Sequence, residues 1–278
     1  MQRSPRTISV VTPVHPPSIP FLTDAYASLR DQRLPAGWQW RWLVQEDGQT
    51  GAVAAALPDD PRISTGTNRP GGPGVTRTMA LSRADGSLVK VLDADDRLTP
   101  DALARDIAVL AADPTIGWTT ARALDLAPDG STSAVATDPA PGRLPAGAVH
   151  RHWQANAHQL PVHPATLCIR TELLFALGGW MALPASEDTG LLLAASTVSD
   201  GHFIGEAGLH YRKWPGQVTS QQTHWSPAER ANRTQVIESR VAALRRLRPV
   251  QVDGPSYCSG LSSPRTGVNG SKASSRTT

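Results

Sequence analysis

Apolar residues along the chain fall into short strand-like runs that alternate with helical stretches. Thr7–Thr12 (TISVVT) reads as a buried strand, closed by Pro13, Pro16 and Pro17. Phe21/Leu22, Ala25/Tyr26 and Leu29 then recur at helical spacing. Trp40–Gln45 is a second strand, and the alternation of Trp38, Trp40 and Trp42 is that of packed strand residues. Residues 50–57 read as a helix and Arg62–Thr65 as a third strand. The glycine-rich Arg69-Pro-Gly-Gly-Pro-Gly74 leads into a helix over 75–84, and Leu88–Leu92 is a fourth strand ending in Asp93-Ala-Asp-Asp96. Thr99-Pro100-Asp101 carries helix-start signals, a capping Thr, a Pro suited to the first position and an acid for the positive end. Leu103, Ile107 and Leu110 form that helix's apolar face.

The middle of the chain is less periodic. Gly117–Leu126 and Ser131–Thr137 flank Asp129-Gly130, which predicts a hairpin. Residues 138–163, rich in Pro, His and Ala, read as loops. Ala165–Arg170 is a further strand, 171–177 a short helix stopped by Gly178, and 188–197 another helix. Ser226-Pro-Ala-Glu229 fits a capping box with proline at the first helical position, and the helix runs to about Arg248. Residues 251–278 are rich in Ser, Gly and Thr and predict a disordered tail. Strands alternating with helices argue for an α/β fold built on an open sheet, which binds ligands beyond the carboxyl ends of its strands. Asp47 and Asp93/Asp95 follow two such strands and are expected on one edge.

Charge narrows the partners. The net charge of +3 suggests a polyanion, but residues 1–227 hold 18 basic and 21 acidic residues, and 228–278 hold 9 and 3. The body is therefore slightly acidic, the reverse of what a nucleic-acid-binding domain needs. The two cysteines, Cys168 and Cys258, form no CxxC pair, so a disulfide scaffold and a cysteine zinc site are both disfavoured. The N-terminal apolar run is too short for a signal peptide, and no stretch reaches the roughly 20 apolar residues of a membrane span. A soluble cytoplasmic protein is expected. Lysine is scarce (Lys90, Lys213, Lys272) against abundant arginine, which we read as base composition.

Asp93 and Asp95 are the centre of the candidate chemistry. In an extended segment, positions i and i+2 face the same side. Two carboxylates converging beyond a strand end call for a cation, and hard oxygen ligands suit Mg²⁺ or Mn²⁺ bridging to a substrate diphosphate. The plainer reading is a solvated acidic turn with Asp96 or Thr99 as a helix cap. Similarly, Asp188 can serve as a helix cap beside a solvated Glu187.

The ordered set of motifs resembles the family 2 glycosyltransferases over roughly residues 6–220. It comprises a strand ending Thr12-Pro13, a strand ending Val44-Gln-Glu-Asp-Gly48, Arg77 on a helix with Ala84-Asp-Gly86 after it, and Val89-Lys-Val-Leu-Asp-Ala-Asp-Asp96. Leu177-Gly-Gly-Trp180, Glu187-Asp188 and Tyr211-Arg212 match the family's later elements. The resemblance implies a single Rossmann-like, GT-A type domain over residues 1–250 with a mixed central sheet. Its donor-binding half would span about 1–125, its acceptor-side half about 126–225 and a C-terminal helix about 227–248. It implies inverting transfer of a sugar from a nucleoside-diphosphate donor, a UDP-sugar among the candidates, to a hydroxyl acceptor, with Mn²⁺ or Mg²⁺ as cofactor. Thr12, Pro13 and His15 would line the nucleoside pocket and Asp47 would bond the base or ribose. Asp93 would face the ribose or sugar and share the metal with Asp95, and Arg77 would lie near the phosphates or donor sugar. Asp188 would be the general base, with Trp180 and Glu187 on the acceptor side.

Two positions depart from the family pattern. Thr78 stands where an Asn follows the arginine, and Trp214 stands where a histidine follows Tyr-Arg, which leaves His210 or His224 as substitutes in a metal shell. Trp214 can instead stack on a sugar or base. Alternatives are a degenerate glycosyltransferase-like domain that binds a nucleotide without turnover, and a sugar nucleotidyltransferase. The latter requires a Gly-rich phosphate loop after its first strand, where this chain has Thr12-Pro-Val-His-Pro-Pro17, and the Asp-x-Asp-x-Thr of a phosphatase is broken at Arg97. Gly71-Gly-Pro-Gly74 could offer amides to a phosphate but reads better as a flexible loop. His150, His152, His158 and His163 fit no zinc spacing and read as a loop over the acceptor side. On the C-terminal helix, Ile237, Val241 and Leu244 share a face flanked by arginines. A docked helix with a solvated face is favoured there over a membrane-surface element.

Overall fold

The computed structural model describes residues 6–134, 138–217 and 226–247. The expected tail 251–278, Cys258, His224 and Arg248, together with the end of the strand expected to reach Thr137, lie outside the described residues. The described residues belong to one compact unit, Met1–Arg248.

A mixed sheet of ten strands carries the fold among the described residues. β1 (Arg6–Val14), β2 (Trp38–Asp47), β3 (Ile63–Asn68) and β4 (Leu88–Val91) run parallel in the order β3-β2-β1-β4. The sheet turns antiparallel at β9 (Cys168–Arg170) and continues through β6 (Ile116–Leu126) and β10 (Asp200–Arg212) to β5 (Arg97–Leu98). β6 and β10 are parallel, and β5 is antiparallel to β10. The Asp129-Gly130 hairpin is present, with β7 (Thr132–Ala134) antiparallel to β6. β8 (Gly142–Leu144) pairs with β10.

Period-two alternation divides β1 between two cores, as expected of a strand covered on both faces. Ile8 and Val10 join Trp40 and Trp42 of β2, Leu22 and Leu29 of α1 (Leu22–Arg30) and Leu103, Ile107 and Leu110 of α4 (Ala102–Ala112). Val11 faces the other way, with Val89 and Val91. That core takes in Leu191–Ala195 of α7 (Glu187–Val198) and Ile237 and Val241 of α8 (Pro227–Leu247). α2 (Ala52–Ala56), α3 (Gly72–Ala80), α5 (Ala148–Ala155) and α6 (Thr171–Ala176) complete the helices. The apolar face of α8 is therefore buried inside the protein rather than offered to a membrane. Among the described residues no helix is long and apolar enough to cross one.

Three local expectations need correction. The helix expected at Thr99-Pro100-Asp101 begins at Ala102, because the Thr99 hydroxyl donates to the Ala207 carbonyl of β10 and Asp101 sits outside the helix with a left-handed φ of 61°. The loop expected over 138–163 contains β8 and α5. Val149 and Trp153, four residues apart, are both buried, and this helical signal is masked by the surrounding Pro and His. The 13-residue β10 escaped detection because Gly201, Gly205 and Gly208 interrupt its apolar alternation. Its pairing with β6 slips at Ile204/Ala207 and Ala207/Leu209, as bulges do.

Lys90, in the middle of the apolar β4, is 1% exposed and pairs with the equally buried Asp106 of α4 at 2.7 Å. It also donates to the Thr166 carbonyl at 2.7 Å, and the Thr119 hydroxyl donates to Asp106 at 2.6 Å. The scarcity of lysine is thus no guide to the importance of this one. Removing one partner strands the other charge in the core. Asp106→Ala should lower unfolding free energy by about 3–5 kcal/mol, and the Lys90→Met/Asp106→Leu double variant should recover most of it. Urea unfolding midpoints of the three proteins check this.

Candidate active site

The carboxyl ends of the parallel strands open onto a cavity of about 300 Å³. Pro13 and Val14 of β1, His15 after it, and Asp47 at the end of β2 form one wall. The turn after β4 contributes Asp93 and Asp95, and the start of α7 contributes Glu187 and Asp188. Asp93 and Asp95 both line the cavity, from a turn closed by the Asp96 amide on the Asp93 carbonyl at 3.1 Å and not from the extended segment expected. Asp96 turns inward, accepts the Arg212 amide at 2.9 Å and is fully buried. Burial, then the neighbouring Asp95 and Asp93, pushes its carboxyl well above the usual range.

Arg77 of α3 ties the two acidic segments together. Its guanidinium donates to Asp93 Oδ1 at 2.6 Å and to Glu187 Oε1 at 2.5 Å, and its side chain is only 5% exposed. Burial disfavours its charge, but Asp93, Glu187 and Asp188 outweigh that and hold it above the ordinary arginine value. One cation cannot neutralise three carboxylates. Burial, reinforced by Asp188, pushes Glu187 up to about 7 despite Arg77. The close approach has a local cause. Gly74 in the first turn of α3 has no room for a Cβ, which would lie 2.3 Å from the Met181 carbonyl and 3.0 Å from Glu187. The Gly71–Gly74 stretch is thus not a loose loop. It starts α3, and the Gly71 and Gly72 amides donate to Asp47 at 2.7 and 3.1 Å. Asp47 is both a cavity residue and the acid at that helix end.

Asp188 lies on the cavity wall in the first turn of α7 and accepts from the Thr189 amide at 2.7 Å. The residue before the helix is Ser186, in a left-handed conformation (φ 64°) rare for a non-glycine. Thr12 is not on the wall. It is fully buried, donating to the Leu92 carbonyl and accepting from Trp42 Nε1. Trp180 is buried behind the wall, its ring centre 6.0 Å from the Arg77 guanidinium carbon. Thr78, the departure from the family pattern, bonds both the amide and the carbonyl of Trp180. Gly178 and Gly179, both with φ above 70°, turn the chain into that position.

Trp214 meets Asp95 across 119 residues of sequence, donating its indole N–H to Oδ2 at 2.7 Å. Its ring packs on Phe21 at 4.9 Å, and Arg212 Nε donates to the Asp95 carbonyl at 2.7 Å. Burial raises the Asp95 carboxyl and the Trp214 bond lowers it, while Asp93 adds to the rise. His210 lies on β10 and does not line the cavity. The wall histidines are His15 and His163. His163 packs tilted against Tyr211, ring centres 4.6 Å apart, accepts from the Ala165 amide at 3.3 Å, and is held below the ordinary histidine pKa by burial. Its proximity to the acids was not legible, because it stood among histidines in a segment read as loop. His150 lies apart, between Glu238 at 2.8 Å and Arg245 at 2.7 Å, where it helps dock α8.

Among the described residues no three His, Cys, Asp or Glu side chains converge as a ready metal cage. The donor set still suits a hard divalent ion, because two wall carboxylates, one raised by burial, would supply part of a shell that substrate phosphates complete.

The sequence pattern described as glycosyl transferase family 2 matches residues 9–150, just over half the chain. The chain belongs to that family. No curated protein matches it. Among solved structures, S. aureus TarS residues 1–349 in complex with UDP-GlcNAc is similar with a TM-score of 0.65 and 18% identity. The match covers 84% of this chain and 66% of that one. The same TarS segment in complex with UDP gives a TM-score of 0.61 at 17% identity, covering 86% and 65%. This chain thus spans just under two thirds of the TarS segment, and 37% of the longer S. aureus TarS structure it also resembles (TM-score 0.57, 18% identity, 75% of this chain). At these identities the likeness establishes the fold, the expected GT-A type.

The raised Glu187 sets a pH dependence of stability for this protein. A carboxyl with a native value near 7 and an ordinary value of 4.5 binds its proton more tightly in the folded state. Stability therefore falls as pH rises from about 4.5 to 7 and levels off above, with a slope of up to about 1 kcal/mol per pH unit from this group. Glu187→Gln should flatten that segment of the curve. Parallel melting-temperature profiles from pH 5 to 8 for the two proteins would refute the assignment.

Proposed function

We propose that the protein transfers a sugar from a nucleoside-diphosphate donor, a UDP-sugar, to a hydroxyl acceptor with inversion at the anomeric carbon. The observation that carries this reading is the shared cavity. Asp93 and Asp95 stand on it at the end of β4, and Asp188 stands on it at the start of α7. Family membership supports the reaction class, and the TarS structures holding UDP and UDP-GlcNAc support the donor class.

Pro13, His15 and Asp47 line the part of the cavity suited to the nucleoside, and Asp93 the part suited to the ribose or donor sugar. Asp95, with Asp93, would hold Mn²⁺ or Mg²⁺. Bound there, such an ion supplies positive charge against the leaving diphosphate. The Trp214 bond fixes the Asp95 carboxylate in one orientation. Arg77 fixes Asp93 and Glu187 and brings cationic character to the phosphate side. Asp188 takes the proton from the acceptor hydroxyl. The hydroxyl oxygen then bonds to the anomeric carbon, and the carbon–oxygen bond to the diphosphate breaks with its electron pair leaving on the diphosphate. A single displacement of this kind needs one base and inverts configuration.

Asp188→Asn should leave UDP binding within about twofold and lower transfer by about 10²–10⁴-fold. Transfer in the wild type should be lost in EDTA and restored by Mn²⁺, with Asp95→Ala inactive in both. Full turnover by Asp188→Asn removes Asp188 as the base. Chelator-insensitive transfer by wild type and Asp95→Ala alike removes the metal role.

A further inference from the structure

His163 lines the cavity alongside the acids and takes no part in the transfer step proposed above. It stands just before the short turn Pro164–Thr166, which leads into β9. β9 runs antiparallel to β4 with Cys168 opposite Lys90, and the Val91 amide donates to the Leu167 carbonyl at 3.0 Å. The chain entering β9 therefore passes the point where β4 ends and the segment with Asp93 and Asp95 begins. The same short turn also touches α7 and β10. His163 is thus set among the three segments that bring Asp93, Asp188 and Tyr211 to one cavity.

The ring is fixed in orientation and in tautomer. Tyr211 packs tilted against it, ring centres 4.6 Å apart. Nδ1 accepts the Ala165 amide at 3.3 Å, so the neutral ring carries its proton on Nε2. Among the described residues the ring makes no other hydrogen bond. Burial favours the neutral form and outweighs Asp188 and Asp93, while Lys213 adds to the burial and Asp125 opposes it. Neutrality matters beside Asp188. An imidazolium would attract that carboxylate and lower its basicity, whereas a neutral ring leaves it able to accept a proton.

The wall is otherwise short of donors. Five carboxylates line it, and its one arginine is bonded to two of them. Gln217 donates to the Tyr211 hydroxyl at 3.1 Å and accepts the Trp214 amide at 3.1 Å. His15 Nδ1 is bonded to the Ser18 hydroxyl at 3.1 Å. Carboxylates receive the hydroxyl protons of a sugar, but they cannot bond to oxygens that need a donor. A sugar held through acids alone would bury such oxygens without a partner, which weakens binding.

We propose that His163 binds the transferred sugar, its Nε2–H donating to an acceptor oxygen of that sugar in the cavity shared with Asp93 and Asp188. This rests on the transferase reading above. A fixed donor of this kind also selects among sugars, because one that presents no oxygen to it leaves a buried N–H unpaired.

The experiment is calorimetric binding, in Mn²⁺, of UDP, UDP-glucose, UDP-galactose and UDP-GlcNAc to wild type, His163→Phe and His163→Gln. Phenylalanine keeps a ring against Tyr211 without a nitrogen, glutamine restores an N–H, and thermal melts verify that both variants fold. For the UDP-sugar that wild type holds tightest, His163→Phe should bind about three- to tenfold more weakly, the worth of one hydrogen bond. His163→Gln should recover part of that loss, and UDP should bind all three proteins within about twofold. Long-range ¹H–¹⁵N spectra at pH 7, with the His163 signals identified by their loss in His163→Phe, should show the Nε2–H tautomer. Equal weakening of UDP and UDP-sugar marks a purely structural role and overturns the proposal, as does a ring protonated on Nδ1. If UDP-sugar binds wild type and both variants alike, the role of His163 falls and the donor reading stands. If wild type binds neither UDP nor any of the UDP-sugars, the donor reading falls and this proposal falls with it.

Discussion

Arg77 holds the cavity region together by pairing with carboxylates that the chain supplies 94 residues apart. Asp93 follows the last of the parallel strands, and Glu187 opens the helix that lies under the other half of the sheet. A buried guanidinium is tolerated only when its charge is met, and here the fork geometry meets two carboxylates at once. The position of α7, and with it of Asp188, is therefore coupled to the end of β4. Gly74 makes that coupling possible by letting the start of α3 approach Glu187 without a side chain between them. Thr78 extends it, because its hydroxyl fixes the Trp180 backbone behind the guanidinium.

The same pairing leaves an excess of negative charge. Asp93, Asp95, Glu187 and Asp188 surround one arginine, and the raised values of Glu187 and Asp95 express the resulting conflict between burial and repulsion. Structural stability alone would not select this arrangement, since each unneutralised carboxylate in a partly buried site is destabilising. In the proposed function, a cation-bearing diphosphate would relieve it. Perturbed groups gathered in a cleft are a physical argument for a ligand site, and here they coincide with the edge where open α/β sheets bind ligands.

Much of the fold was legible from local pattern. The parallel strands β1 to β4, the hairpin at Asp129-Gly130, α7 and the start of α8 all carry their signals within a few residues of themselves. The acidic cluster after β4 was legible as an acid triplet following an apolar strand, but the structure holds it in a turn closed by the Asp96 amide on the Asp93 carbonyl, not in the extended segment the i, i+2 rule assumes. What escaped was coded weakly or at a distance. β10 contains glycines and bulges that erase alternation, and α5 hides an i, i+4 apolar pair among histidines and prolines.

The sequence by itself therefore determined the alternation of strands and helices, the edge on which Asp47, Asp93 and Asp95 emerge, and the family to which these motifs belong. These follow from periodicity and turn chemistry, which act over short stretches. Tertiary structure alone decided that Trp214 bonds Asp95, that Lys90 is a buried ion-pair partner of Asp106, and that Thr12 is buried rather than at the cavity. It also decided that the histidines of one segment separate, His163 onto the cavity wall, His158 against Trp153 and His150 beneath α8. These depend on which side chains a twisted sheet and its covering helices bring within a few ångströms, and no local pattern encodes that distance.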